Sequence, residues 1–114
     1  MANPVDIISE GSAEEPAHGG VIVTQASQAL AVAGLARGRI AHGILIRAPG
    51  PDDDTPNTKP VYVGAPRVTG DQNVRTAGTA LPPGASITLP CLDPSKVFVV
   101  TASGDNQFVT WIGV

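Results

Sequence analysis

Leu81-Pro82-Pro83-Gly84-Ala85-Ser86-Ile87-Thr88-Leu89 combines a turn with a strand inside nine residues. Leu81-Pro82-Pro83-Gly84 offers a proline for the second position of a turn and a glycine for the third, the chemistry of a type II reversal. Beyond it, Ile87 and Leu89 alternate with Ser86 and Thr88, so successive side chains of a strand give one buried and one wet face. A turn that delivers the chain into an alternating segment is the signature of an all-β fold, and the neighbouring sequence repeats it.

On the C-terminal side, Lys96 to Ala102 and Gln107 to Val114 are β-rich runs separated by Ser103-Gly104-Asp105-Asn106, a spacing that predicts a closing hairpin with the last two strands as antiparallel neighbours. On the N-terminal side, Val61 to Gly64, Ile40 to Ala48 and Val21 to Gln25 read as further strands. Glycine and proline contribute 13 and 11 of the 114 residues and fall at short intervals, which leaves few windows for an uninterrupted helix. Gln25 to Ala33 is alanine-rich and is the one window able to carry one or two helical turns. The expected architecture is therefore an antiparallel β-sandwich, jelly-roll-like, occupying residues 21–114, with Ile44, Ile46, Val61, Val63, Ile87, Leu89, Val97, Val99 and Trp111 in its core.

Met1 to Gly20 has a different composition: the acidic residues Asp6, Glu10, Glu14 and Glu15, two prolines and a Gly19-Gly20 pair that reads as a hinge. It is expected to be an extended N-terminal arm, residues 1–20, whose apolar patch Val5, Ile7 and Ile8 is the candidate contact with another subunit. The start of the chain lacks a basic region followed by an apolar run, so no signal peptide is expected, and no apolar stretch approaches the roughly 20 residues of a membrane span.

Seven Lys and Arg against ten Asp and Glu give a net charge of −3, with the cations scattered, so a nucleic-acid interface is not expected. The single cysteine, Cys91, excludes an intrachain disulfide and a cysteine-based zinc site. The G-x-S-x-G, G-x-G-x-x-G and G-x-x-x-x-G-K-[ST] signatures are absent. His18 and His42 have no partner at metal-ligand spacing, and Asp52-Asp53-Asp54 reads as a solvated loop without the closing Glu of an EF-hand. Asp71, Asp93 and Asp105 are the carboxylates that a glycosidase would have to bring together, but with 4% aromatic residues a sugar-stacking cleft is hard to build. Tyr62 and Trp111 lie within strands and read as packing residues. No catalytic, cofactor or metal site is expected.

From Val21 onward, the ordered set Val61-Tyr62-Val63-Gly64, then Gly78-Thr79-Ala80-Leu81-Pro82-Pro83-Gly84-Ala85-Ser86-Ile87-Thr88-Leu89, then Asp93-Pro94-Ser95-Lys96-Val97-Phe98-Val99, resembles the small β-sandwich structural proteins of tailed bacteriophages. These include capsid decoration or cement proteins and head-fibre or tail accessory modules. The resemblance implies a non-enzymatic virion protein on the outer surface of the capsid, with the major capsid protein and copies of itself as partners, a homotrimer first and a dimer second. A lone domain with a short arm, free of coiled-coil heptads or shaft repeats, favours decoration over a fibre or a host-glycan-binding adhesive module.

Overall fold

The computed structural model describes residues 15–32, 38–70, 78–102 and 104–114. Val5, Ile7 and Ile8 lie outside them. Among the described residues are eight strands: β1 His18–Val23, β2 Gln28–Ala29, β3 Ile44–Arg47, β4 Val61–Gly64, β5 Thr79–Leu81, β6 Ser86–Leu89, β7 Phe98–Val100 and β8 Gln107–Gly113. One 3-10 turn, Pro94–Lys96, is capped by Asp93. No helix among these residues is long and apolar enough to cross a membrane.

The strands form two four-stranded sheets, in the orders β1-β8-β3-β6 and β2-β7-β4-β5, and every pairing is antiparallel. Four of the pairs, β1 with β8, β2 with β7, β3 with β6 and β4 with β5, join strands equally far from the two ends of the series. The chain is thus one long antiparallel ribbon rolled into a sandwich, which is the jelly-roll arrangement.

This topology corrects the reading of the last two strands. β7 lies in the second sheet and β8 in the first, so the chain changes sheets after β7 instead of closing a hairpin. Two β-rich runs with a turn between them look the same in sequence whether the chain stays in a sheet or crosses. The Pro-Gly turn crosses as well: Ala85 N–H donates to the Pro82 carbonyl at 2.9 Å, Gly84 sits at φ +87°, and the chain passes from β5 into β6. A positive φ at the third turn position is what a type II turn requires of glycine.

Alternation fills the space between the sheets. Val23, Ile44, Ile46, Val61, Val63, Val97, Val99, Val109 and Trp111 are buried there, and Ile87 and Leu89, on the edge strand β6, are half-buried against them. A second, smaller cluster covers the outside of the second sheet, where Tyr62 and Val100 pack beneath Val68 with Phe98 at its margin. The described part of the alanine-rich window, residues 25–32, carries β2 and no helix, because Leu30 is drawn into the core and its N–H donates to the Val97 carbonyl.

The arm boundary at Gly20 also shifts. Pro16 bridges Arg39, Ala17 is buried, and β1 begins at His18. Gly19 and Gly20 are strand residues whose missing side chains make room for aromatic rings on the paired strand. A Cβ on Gly19 would stand 2.9 Å from the Trp111 indole nitrogen, and one on Gly20 would stand 2.6 Å from the tip of the Phe108 ring. Both distances are shorter than a carbon contact tolerates.

Trp111 fills the space over Gly19 and reaches across the sandwich, where its Nε1–H donates to the Leu30 carbonyl at 3.2 Å. Trp111→Ala is expected to destabilise the fold by about 3–5 kcal/mol and Gly19→Ala by about 1–3 kcal/mol, the first through a cavity and the second through overpacking. Urea unfolding followed by far-ultraviolet circular dichroism measures both; a Gly19→Ala midpoint equal to that of the parent protein contradicts the packing account.

Candidate functional site: the outer face of the first sheet

The face of the first sheet turned away from the core is built by the other half of the alternation. Its register rows place Ile22 beside Phe108, Gly20 beside Thr110 beside Arg47 beside Ser86, and His18 beside Ile112 beside Leu45 beside Thr88. A shallow groove of about 590 Å³ opens among these rows, lined chiefly by His18, Leu45, Arg47, Phe108 and Ile112, with the Phe108 ring lying over Gly20. Ile22 is 60% exposed and Ile112 37%, on a face carrying a single fixed cation. An apolar surface on a rigid sheet, rimmed by Arg47 and His18, has the composition of a protein-docking face.

The rim is held by polar side chains from the acidic loop. Arg47 forms a two-pronged pair with Asp53, Nη2 to Oδ2 at 2.8 Å, and the same carboxylate accepts the Gly50 N–H at 2.7 Å. These hydrogen bonds, that from Arg47 first, hold the Asp53 carboxyl below the ordinary aspartate range, and Asp53 in turn raises Arg47. Asp53 is thereby a turn-fixing residue that aims the guanidinium along the sheet, while Asp52 and Asp54 are exposed.

The loop is fastened to β8 by two buried amides. Where β3 ends, Asn57 takes over as its substitute: its Nδ2 donates to the Phe108 carbonyl at 2.7 Å and its Oδ1 accepts the Phe108 N–H at 2.8 Å. Gln107 Oε1 accepts from the Thr58 and Lys59 N–H groups at 2.8 and 3.0 Å. Side-chain amides thus complete the backbone pairing that the short strand leaves open. Sequence reading missed both residues, since an Asn in a polar loop and a Gln at a strand start carry no pattern that marks them as buried.

The other residues weighed in the sequence have structural positions. His18 begins β1 at the groove rim, and His42 is exposed. Cys91 is half-buried, with its thiol 3.4 Å from the Asp93 carbonyl. Asp93 accepts from Ser95 Oγ and Ser95 N–H, which hold its carboxyl below the ordinary range. Asp93 lies before β7 and Asp105 after it, and Asp71 is outside the described residues. No group of three or more His, Cys, Asp or Glu side chains among the described residues is placed to hold a metal ion. No family model, curated protein or solved structure matches the chain.

Asn57→Ala leaves the Phe108 N–H and carbonyl without partners in a partly buried place, and is expected to lower stability by about 1–3 kcal/mol in chemical denaturation. Asn57→Asp sets a carboxylate oxygen against the Phe108 carbonyl in this buried place, and is expected to cost at least as much as Asn57→Ala at neutral pH. For the carboxylates the sign is that of lowered groups: their contribution is present above the ordinary value of 3.8 and is lost as pH falls through the lower folded values. Stability measured between pH 5 and pH 2 should therefore decline less steeply in Asp53→Asn and Asp93→Asn than in the parent; equal slopes in all three contradict the assignment.

Proposed function

We propose that this protein is a capsid decoration, or cement, protein of a tailed bacteriophage, which binds the outside of the major capsid shell and stabilises the head without performing catalysis. The observation that carries this reading is the apolar outer face of the first sheet. Leu45, Phe108, Ile112 and Ile22 are presented there on a jelly roll whose core is closed by other residues, so the fold does not use this face for its own stability. The order of sequence motifs between Val61 and Val99, which resembles phage head and tail modules, supports the same class. Fold alone does not choose among virion roles.

A decoration protein needs many weak contacts in place of one strong contact, because its copies act together around a closed shell. A few half-exposed aliphatic groups at about 25 cal/mol per Å² of buried apolar surface suit that requirement. On this reading the segment carrying Val5, Ile7 and Ile8 supplies a second contact with the shell.

The test adds purified protein to heads stripped of their outer proteins and follows co-sedimentation and thermal rupture. Binding with a raised rupture temperature is expected. Leu45→Asp and Ile112→Asp, both outside the core, should weaken it tenfold or more while leaving the fold intact by circular dichroism. Deletion of residues 1–14 should weaken it less. Binding to host cells without heads, with no attachment to heads, would instead identify a glycan-binding adhesive module.

A further inference from the structure

The two edges of the first sheet differ in how they end. β6 is four residues long and lies between Pro82-Pro83 and Pro90, whereas β1 is six residues long, His18–Val23, with Pro16 two positions ahead of it and no charged residue or proline within it. Charges and prolines are the usual means of keeping a sheet edge from pairing with another chain. In the second sheet, β2 has two residues and β5 has three, so among the described strands β1 is the long unguarded edge.

The hydrogen-bond pattern shows which groups that edge offers. Gly113 N–H donates to the Ala17 carbonyl at 2.7 Å, so Ala17, and with it Gly19, Val21 and Val23, point their backbone groups toward β8. Phe108, opposite Ile22, spends both its N–H and its carbonyl on Asn57 at the other side of β8. The N–H and carbonyl groups of His18, Gly20 and Ile22 therefore face outward along the free edge, and no described residue bonds them.

We propose that β1 pairs with β1 of a second copy of this chain, antiparallel and about a two-fold axis at Gly20, so that two first sheets become one continuous eight-stranded sheet. The edge is self-complementary in this register. His18 of one copy faces Ile22 of the other, Gly20 faces Gly20, and each of the three pairs exchanges two hydrogen bonds. All outward groups of the strand are satisfied by a ladder of about six bonds. On the outer face the two glycines meet at the axis, each under the tip of its own copy's Phe108 ring, and each exposed Ile22 gains an imidazole neighbour across the seam. The two docking grooves then lie on one surface, related by the two-fold axis, and a pair of copies is bivalent toward whatever that surface binds. The pairing concerns the free protein and stands whether or not the capsid reading does.

The test uses the full chain with Cys91→Ser and cysteines at His18 and Ile22, a facing pair whose expected Cα separation of about 5.5 Å lies within disulfide range. Mild oxidation at about 100 μM should convert most of the double variant to a covalent dimer, while His18→Cys and Ile22→Cys singly, each four positions from its own copy, should cross-link at least tenfold less. Ile22→Lys, at an exposed position, should shift the unlinked protein toward the monomer mass of 11.6 kDa in light scattering while leaving its circular dichroism unchanged. Equal cross-linking of single and double variants, or a monomer at every concentration, overturns the proposal. So does dimerisation that appears only after residues 1–14 are removed, which would mean that the chain's own N-terminal segment covers the edge.

Discussion

The indole of Trp111 ties the two layers of the sandwich together. It lies on a bare strand position at Gly19 in the first sheet and donates to the Leu30 carbonyl just beyond β2 of the second. A chain of this length buries roughly two thirds of its unfolded surface, so its stability is a small difference between large opposing quantities. One large ring that fills the inter-sheet space, with its only polar atom satisfied, removes both a cavity and an unpaired donor. Gly19 is the complement that this ring demands, and that demand is why the glycine pair belongs to a strand.

From that cross-brace the rest of the first sheet follows. β8 is central, with β1 on one flank and β3 on the other, so its inward residues, Val109 and Trp111, meet the core while Phe108, Thr110 and Ile112 form the opposite face. β3 is four residues long and stops before β8 does; Asn57 and Gln107 carry the pairing onward with their amides. The acidic loop is consequently a fastening, and Asp53 within it fixes the direction of Arg47 at the groove rim. The outer face of the first sheet is thus held by core packing on one side and by buried amides at its end.

Much of the fold was legible because alternation and turn chemistry are local. Val61–Gly64 and Ser86–Leu89 have in the structure the same bounds that their sequence pattern suggests, and the Pro-Gly turn adopts the conformation its residues require. Two kinds of information were not local. Whether β7 and β8 close a hairpin or lie in different sheets depends on what β8 finds at a distance, namely β1 and β3. Whether Gly19-Gly20 bends or pairs depends on rings some ninety positions away in the chain. The apolar outer face shares that limit: Leu45, Phe108 and Ile112 come from two strands, and only register brings them together with Gly20. The patch at Val5, Ile7 and Ile8 was the contact that sequence suggested, while the sheet face became visible only in three dimensions.

A compact jelly roll that closes its own core and keeps an apolar sheet face free is suited to holding on to something larger, and the proposed capsid shell is such a surface. Electron cryomicroscopy of heads decorated with the purified protein tests this most directly. The account predicts density for the sandwich on the outside of the shell with Leu45, Phe108 and Ile112 turned toward the capsid subunits. Density attached through the second sheet, with the first sheet's outer face open to solvent, or heads that carry no added density at saturating protein, would contradict it.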